Sequence, residues 1–407
     1  MAASLFLLPL VCDPSGYDAF RYPKFLLFRL TAILIAAILI TAALFGKLDV
    51  RRLIRKRSRI VMLAAVVLWS VITTMLSTNR LVSYRTFECT AEALLFFVAA
   101  WIAVRDSTLN QVIAAPFAAG VINAIVAVVQ RTNVWSVFPF AKNLPVHLRT
   151  TALMGNPNDV GSYLLPITIA AIAIAFLRRR WYWTLIACTL TLGIAVSEAL
   201  TAIAGCVAAA LVLSVILSRR NGMRVVAATL VCVLIAIAAV PPVRNRIERL
   251  EQAIRQHDLA EATSQRIYPF MTAWKMFRDH PVTGVGPGVF KYRFLEYRLG
   301  QIQTDYRFFA LNAENFGEVH SDHLQVLAEE GLPGWLLLMA FFVLIGWTTA
   351  ETWAAADERR LFVRYAGAPI AAGLFTLAIA AFPMELTAVL QVILYFSAVL
   401  LSWSETE

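Results

Sequence analysis

Residues 333–351 read PGWLLLMAFFVLIGWTTAE, eighteen positions without a charge before Glu351 closes the run. A stretch of that length covers a hydrocarbon layer about 30 Å thick as a helix. Only a helix or a closed barrel satisfies its backbone polar groups in lipid, and the apolar residues here run continuously rather than alternating. Working outward, runs of the same kind recur along nearly the whole chain, which is 59% hydrophobic and 15% charged. Twelve are predicted, near 2-12, 24-46, 60-77, 86-104, 109-130, 158-177, 181-196, 198-218, 224-241, 333-351, 362-382 and 385-402. The first is too short to cross alone and must tilt, thin the bilayer or lean on its neighbours. The expected fold is an all-α polytopic membrane protein of about twelve transmembrane helices.

The net charge of +10 resides largely in the short connections. Lys47, Arg51, Arg52, Arg55, Lys56, Arg57 and Arg59 crowd one of them; Arg178, Arg179 and Arg180, then Arg219, Arg220 and Arg224, then Arg359, Arg360 and Arg364 occupy three more. Twelve crossings place all four on one side, the cytoplasmic one by the retention of Lys and Arg, with both termini there too. Charge distributed in this way marks membrane topology and gives no reason to invoke nucleic acid. The same threading puts 131-157 and 242-332 outside, so the chain divides into nine spans over 1-241, a helical cap over 242-332 and three spans over 333-407. Cys12, Cys89, Cys188, Cys206 and Cys232 lie in or beside apolar runs, which indicates neither a disulfide framework nor a cysteine metal site.

Immediately before the opening stretch stands His320-Ser321-Asp322-His323-Leu324-Gln325-Val326-Leu327-Ala328-Glu329-Glu330-Gly331-Leu332. On a helix His320 shares a face with His323 or Leu324 and with Leu327, which sets an imidazole above apolar anchors where the helix meets the bilayer. Imidazole accepts a proton near neutral pH; the alternative is a polar residue capping an interfacial helix. The spacing of His320 and His323 matches neither a zincin pair nor a cysteine-bearing site, so no metal is expected.

Two further strings carry polar chemistry. Ser264-Gln265-Arg266, with Lys275 farther along the same expected cap helix, offers a guanidinium that grips phosphate oxygens bidentately, or else a solvated face paired with Glu261. Arg149-Thr150-Thr151-Ala152-Leu153-Met154-Gly155-Asn156-Pro157-Asn158-Asp159 presents the carboxamides of Asn156 and Asn158 either to a head group or as a helix-opening turn. Arg80, Arg85, Arg131 and Lys142 rim the same side or snorkel at the interface. Gly284-Val285-Gly286-Pro287-Gly288 follows no strand and precedes no Lys-Ser/Thr; it reads as a tight turn for close backbone approach, not a nucleotide loop.

Together Gly155-Asn156-Pro157-Asn158, Arg266 with Trp274, His280-Pro281-Val282-Thr283-Gly284-Val285-Gly286-Pro287-Gly288, and His320-Ser321 followed by Gly331-Leu332-Pro333-Gly334 resemble the O-antigen ligase and polymerase superfamily. The resemblance implies a GT-C-like glycosyltransferase of the bacterial inner membrane, with its site facing the periplasm. It implies transfer of a glycan from undecaprenyl diphosphate to lipid A-core oligosaccharide in lipopolysaccharide biosynthesis, without metal or cofactor and with inversion. His320 and Arg266 take the catalytic roles, at the acceptor hydroxyl and the diphosphate respectively. Ser321, His323 and Gln265 are acceptor-side candidates, and Lys275, Asn156 and Asn158 donor-side ones. The family often carries a Ser-Arg-like signature where this chain has Ser197-Glu198-Ala199. A second diphosphate cation is therefore expected elsewhere, at Arg149, Arg85 or Lys142.

Within the resemblance the alternatives for the acceptor are a second polyprenyl-linked glycan, as in a polymerase, or a protein side chain, as in an O-oligosaccharyltransferase; the compact cap favours the ligase. A flippase or transporter for the same lipid-linked oligosaccharide is the alternative of another class. It would place charges inside several spans, whereas here the ionisable residues gather at the outer surface, with Glu92 and Arg29 as partial exceptions.

Overall fold

The structure is a computed structural model and describes residues 1–15, 18–46, 57–132, 150–239, 241–304 and 316–405. Among these, regular structure is helical throughout. The helices are α1 (Ala2–Leu7), α2 (Arg21–Leu44), α3 (Arg57–Met75), α4 (Arg80–Val104), α5 (Leu109–Arg131), α6 (Pro157–Arg178), α7 (Trp181–Ser197), α8 (Leu200–Ile216) and α9 (Arg219–Ala239). There follow α10 (Pro241–Arg255), α11 (Leu259–Ala262), α12 (Ile267–Asp279), α13 (Phe290–Thr304), α14 (Asp322–Glu351), α15 (Glu358–Ile379) and α16 (Thr387–Trp403), with a 3-10 turn at Pro383–Glu385 between the last two.

Among the described residues, seven helices are long and apolar enough to cross a membrane: α2 to α6, α14 and α15. The apolar α7, α8 and α16 are shorter, at 17 residues each. α1 has 6 residues, or about 9 Å of helix, a third of a hydrocarbon layer. It leans on its neighbours: Ser4 Oγ lies 3.2 Å from Thr31 Oγ1 on α2, and Gln391 of α16 donates to the same serine. The start of the chain therefore sits within the depth of the bundle. Leaning on α2 and α16 in this way is one of the courses open to a first span too short to cross alone.

α6 is the central post, buried along most of its length, with Tyr163, Leu164, Leu165 and Ile167 fully enclosed. Small residues let its neighbours close in. A Cβ on Gly205 of α8 would stand 2.8 Å from the carbonyl oxygen of Gly373 on α15, so the two backbones meet where neither carries a side chain. At one end of the bundle, Arg59 is buried and ties three helices together. It bonds Glu351 at 2.6 Å, Glu405 at 2.6 Å, Ser404 at 2.8 Å and the carbonyl of Leu401. Arg178 pairs with Glu358 and Arg359 donates to the Arg105 carbonyl at this same end. Of the basic clusters, Lys47, Arg51, Arg52, Arg55 and Lys56 lie outside the described residues.

At the opposite end, the glycine turn and α14 form one backbone knot. α14 breaks at Gly331 (φ 70°), and Pro333 has no N–H to give the Glu329 carbonyl. The N–H groups of Val285 and Gly286 bond instead to the carbonyls of Ala328 and Glu329, both at 2.9 Å, while Leu332 N–H turns to Pro281 O at 2.9 Å. Gly284 (φ 65°) fits because any Cβ there would lie 2.2 Å from the Glu329 carbonyl carbon. The Glu329 carboxylate then accepts the N–H of Gly288 at 2.8 Å and of Phe290 at 3.0 Å, capping α13. The aromatic and basic segment past the turn is thus helical, anchored by an acid borrowed from α14.

Candidate functional site

The site forms where the C-terminal end of α15 meets the start of α14. Ser321 caps α14, its hydroxyl accepting the Leu324 N–H at 3.4 Å, so this helix begins at Asp322 rather than at Glu318. The carbonyls that α15 leaves over are then used. Ser321 Oγ donates to Ala378 O at 3.4 Å, Asp322 N–H to Ala381 O at 3.1 Å and Arg266 Nη1 to Ala380 O at 2.7 Å. A cation suits that end because helix dipoles leave partial negative charge there. Arg266 arrives by way of Ser264 and Gln265, both at positive φ (52° and 67°), and stands at the N-cap of α12.

His320 also has positive φ, 61°, costly for a residue with a side chain. Its ring meets Phe382 edge to face at 4.8 Å and Phe316 at 6.2 Å. Burial, then the charges of Arg266 and Arg21, push its pKa down to about 4. The imidazole is therefore neutral at physiological pH and able to accept a proton.

Arg21, at the start of α2, belongs to none of the sequence motifs. It bonds Glu318 at 3.2 Å, faces Asp159 of α6 at 3.6 Å and lies over the Phe382 ring at 5.7 Å. Phe382 thus carries an imidazole and a guanidinium together. Behind it, Glu385 accepts from Gln325 at 3.1 Å, and its pKa is raised by burial and by Glu318, against the pull of Lys291 and Arg21. Asp322 accepts the Met384 N–H at 3.2 Å, holding the 3-10 turn against α14.

The other sequence candidates take different places. Asn156 caps α6, accepting the Asn158 N–H at 2.8 Å, and the Asn158 carbonyl accepts from Ser162. His323 turns away from His320, with Nε2 3.4 Å from Phe375 O and its ring against Phe375 at 4.9 Å. Lys275 pairs with Asp279 at 3.4 Å and lies over Tyr297, nine residues along α12 from Arg266. Arg85 is exposed on α4. Arg149 and Lys142 lie outside the described residues. Glu198, at the point where the family signature carries arginine, is paired by Arg131 at 2.8 Å.

Residues 183–339 match the family model described as O-antigen ligase. No curated protein matches the chain. The matched stretch runs from α7 into α14 and contains Arg266, the glycine turn, His320 and the break at Gly331, whereas Arg21, Phe382 and Glu385 stand outside it. The chain is thus a polytopic membrane protein, a bundle of apolar helices in which residues 183–339 are similar to the O-antigen ligase family.

Proposed function

We propose that the protein transfers O-antigen polysaccharide from undecaprenyl diphosphate to lipid A-core oligosaccharide. The observation that carries this reading is a neutral imidazole, His320, beside two guanidinium groups at the end of the bundle opposite the Arg59, Arg178 and Arg359 connections. By the retention of basic loops that far end is cytoplasmic, with Glu405 near it, and the site end faces the periplasm from the inner membrane. The division at 242-332 into a cap between two sets of spans belongs to the same proposal.

The reaction needs little covalent help, because a lipid diphosphate is already a leaving group. His320 takes the proton of the acceptor hydroxyl as its oxygen bonds the anomeric carbon. The carbon–oxygen bond to the diphosphate breaks with its electron pair, and the polyprenyl diphosphate leaves one charge more negative. Arg266 and Arg21 stabilise that charge, so Arg21 fills the place of a second diphosphate cation. Direct attack inverts the anomeric centre, and two fixed guanidinium groups supply positive charge without a metal. His320's depressed pKa suits the cycle. An incoming diphosphate offsets the two cations and raises the imidazole's basicity when the acceptor is to be deprotonated.

The test is transfer by the purified protein in lipid nanodiscs, offered lipid A-core and, separately, a second polyprenyl-linked glycan. Mass spectrometry should find the polysaccharide on lipid A-core. Product only on the second glycan would make the protein a polymerase. Movement of the donor across the bilayer without any transfer would make it a flippase.

A further inference from the structure

His320 stands between two fixed stretches of backbone. Downstream, the Ser321 hydroxyl donates to Ala378 O and the Asp322 N–H to Ala381 O, so the chain is tied to the end of α15 from the next residue onward. Upstream, Val319 is fully buried, its side chain packed in a small apolar cluster with Phe294 and Val285. Its N–H donates to Gln325 Oε1 at 3.2 Å. The positive φ of His320, 61°, is the turn that joins these two ties. A backbone of that kind persists only where its surroundings over-determine it.

Gln325 sits in the first turn of α14 with its side chain buried, reaching back past the start of the helix. Its Nε2 donates to Glu385 Oε1 at 3.1 Å. The two ends of the amide therefore face groups of opposite character, the Val319 N–H before its oxygen and the Glu385 carboxyl before its nitrogen. Turned end for end, the amide would set N–H against N–H and oxygen against oxygen, so a single orientation is fixed. Glu385 closes the 3-10 turn that follows Phe382, the ring against His320. Gln325 thus links the backbone on which the imidazole turns to the element that carries the ring it rests on. A leucine would fill a similar space and make neither bond, leaving the buried Val319 N–H unpaired.

We propose that Gln325 is a positioning residue, whose amide holds the His320 imidazole against Phe382 by bridging the Val319 N–H to Glu385. The inference rests on the proposed function for what His320 does in transfer, but the position of the ring is tested without glycan. In the purified full-length protein, Gln325→Leu should lower kcat about tenfold through a misplaced base. Binding of undecaprenyl diphosphate should change little, because Arg266 reaches Ala380 without Gln325. Gln325→Glu combined with Glu385→Gln exchanges the carboxyl and the amide, keeps an acceptor for Val319 and a donor–acceptor pair across the gap, and should recover most of the lost kcat. Gln325→Leu combined with Glu385→Gln shares the second change, lacks the bridge and should stay impaired. Carbethoxylation of His320 by diethyl pyrocarbonate, followed by mass spectrometry of its peptide, should be slow in the parent and in the exchanged pair and faster in both leucine variants, where the ring is released from Phe382. Parent kcat in Gln325→Leu, equal carbethoxylation in Gln325→Leu and parent, or an exchanged pair no better than its leucine counterpart would overturn the assignment. The expected reactivity pattern in a protein that transfers no glycan would uphold the positioning of the ring and remove the transferase reading instead.

Discussion

His320 and Phe382 stand edge to face, 4.8 Å between ring centroids, and they come from the two members of a packed helix pair, His320 just before α14 and Phe382 just after α15. Because His320 holds a positive φ, the ring contact fixes an imidazole whose backbone is already strained. An edge-to-face pair is worth about 0.5–1.5 kcal/mol beyond its buried area. Phe382→Leu keeps most of the volume and loses the ring. Transfer at saturating donor should fall about tenfold while donor binding changes less, because the leucine lets the imidazole rotate but leaves Arg266 on Ala380. Separate measurement of kcat and KM checks this. A rise in KM alone would mean that Phe382 serves the donor and not His320.

Acid stability reports on the same group. His320 has a folded pKa of about 4 against an ordinary 6.5, so between those values the unfolded chain takes up a proton that the folded one refuses. Its contribution to stability is present above pH 6.5 and is lost as the pH falls toward 4. Glu385 acts with the opposite sign, since a raised carboxyl binds its proton first in the folded state. Thermal unfolding from pH 7 to pH 4.5 should therefore fall less steeply in His320→Gln than in the parent. Arg21→Gln should also flatten the curve, because one of the two charges opposing the imidazolium is gone. Identical slopes in all three proteins would show that His320 titrates normally.

The knot between the glycine turn and α14 sets a stability prediction. Glu329→Ala leaves the Gly288 and Phe290 N–H groups without the carboxylate that caps them, and should cost about 1–3 kcal/mol. Glu329→Gln keeps an acceptor oxygen and should cost less. Gly284→Ala should be worse than either, since it combines a positive φ with a clash against the Glu329 backbone. Denaturant or thermal unfolding of the three variants gives the order.

How far the sequence could be read follows from where each residue sits in the chain. The spans are legible because long, largely uncharged apolar runs fit little besides a membrane-crossing helix, and His320 and Arg266 stand out as candidates because a motif surrounds each of them. Arg21 looked like any arginine at a helix start and Phe382 like any apolar residue at a span end. Only the packing of α15 against α14, with Arg21 reaching over the Phe382 ring from the start of α2, brings them to the imidazole. His323 shows the reverse. Three residues from His320 on a continuous helix would share its face, but α14 starts at Asp322, so His320 lies outside the helix and the two rings diverge. The break at Gly331, by contrast, falls where the sequence places it: the backbone is non-helical there (φ 70°), so a helix before it and a span after it meet at a kink within the Gly331-Leu332-Pro333-Gly334 connection.

Topology can be read with cysteine labels in a cysteine-free background. Lys275→Cys and Leu295→Cys, both exposed beyond the site end, should react with an impermeant reagent added outside the cell. Arg180→Cys and Arg220→Cys, at the far end, should react only after permeabilisation. The reverse pattern would put His320 in the cytoplasm and exclude a periplasmic transfer.

The sharpest separation of catalysis from transport lies in the two histidines. General-base assistance contributes about 10²- to 10⁴-fold, so His320→Ala should lose that much transfer while still binding undecaprenyl diphosphate through Arg266 and Arg21. His323→Ala removes a ring packed on Phe375 and Phe342 and should lower stability with a much smaller effect on turnover. His320→Gln should be as inactive as the alanine variant, because a carboxamide hydrogen-bonds but does not take up a proton at neutral pH. Activity should persist in a chelator. Full transfer by His320→Ala would remove the base, transfer retained by His320→Gln alone would make the imidazole an orienting group, and chelator inactivation reversed by one divalent ion would replace this chemistry with a metal-assisted one.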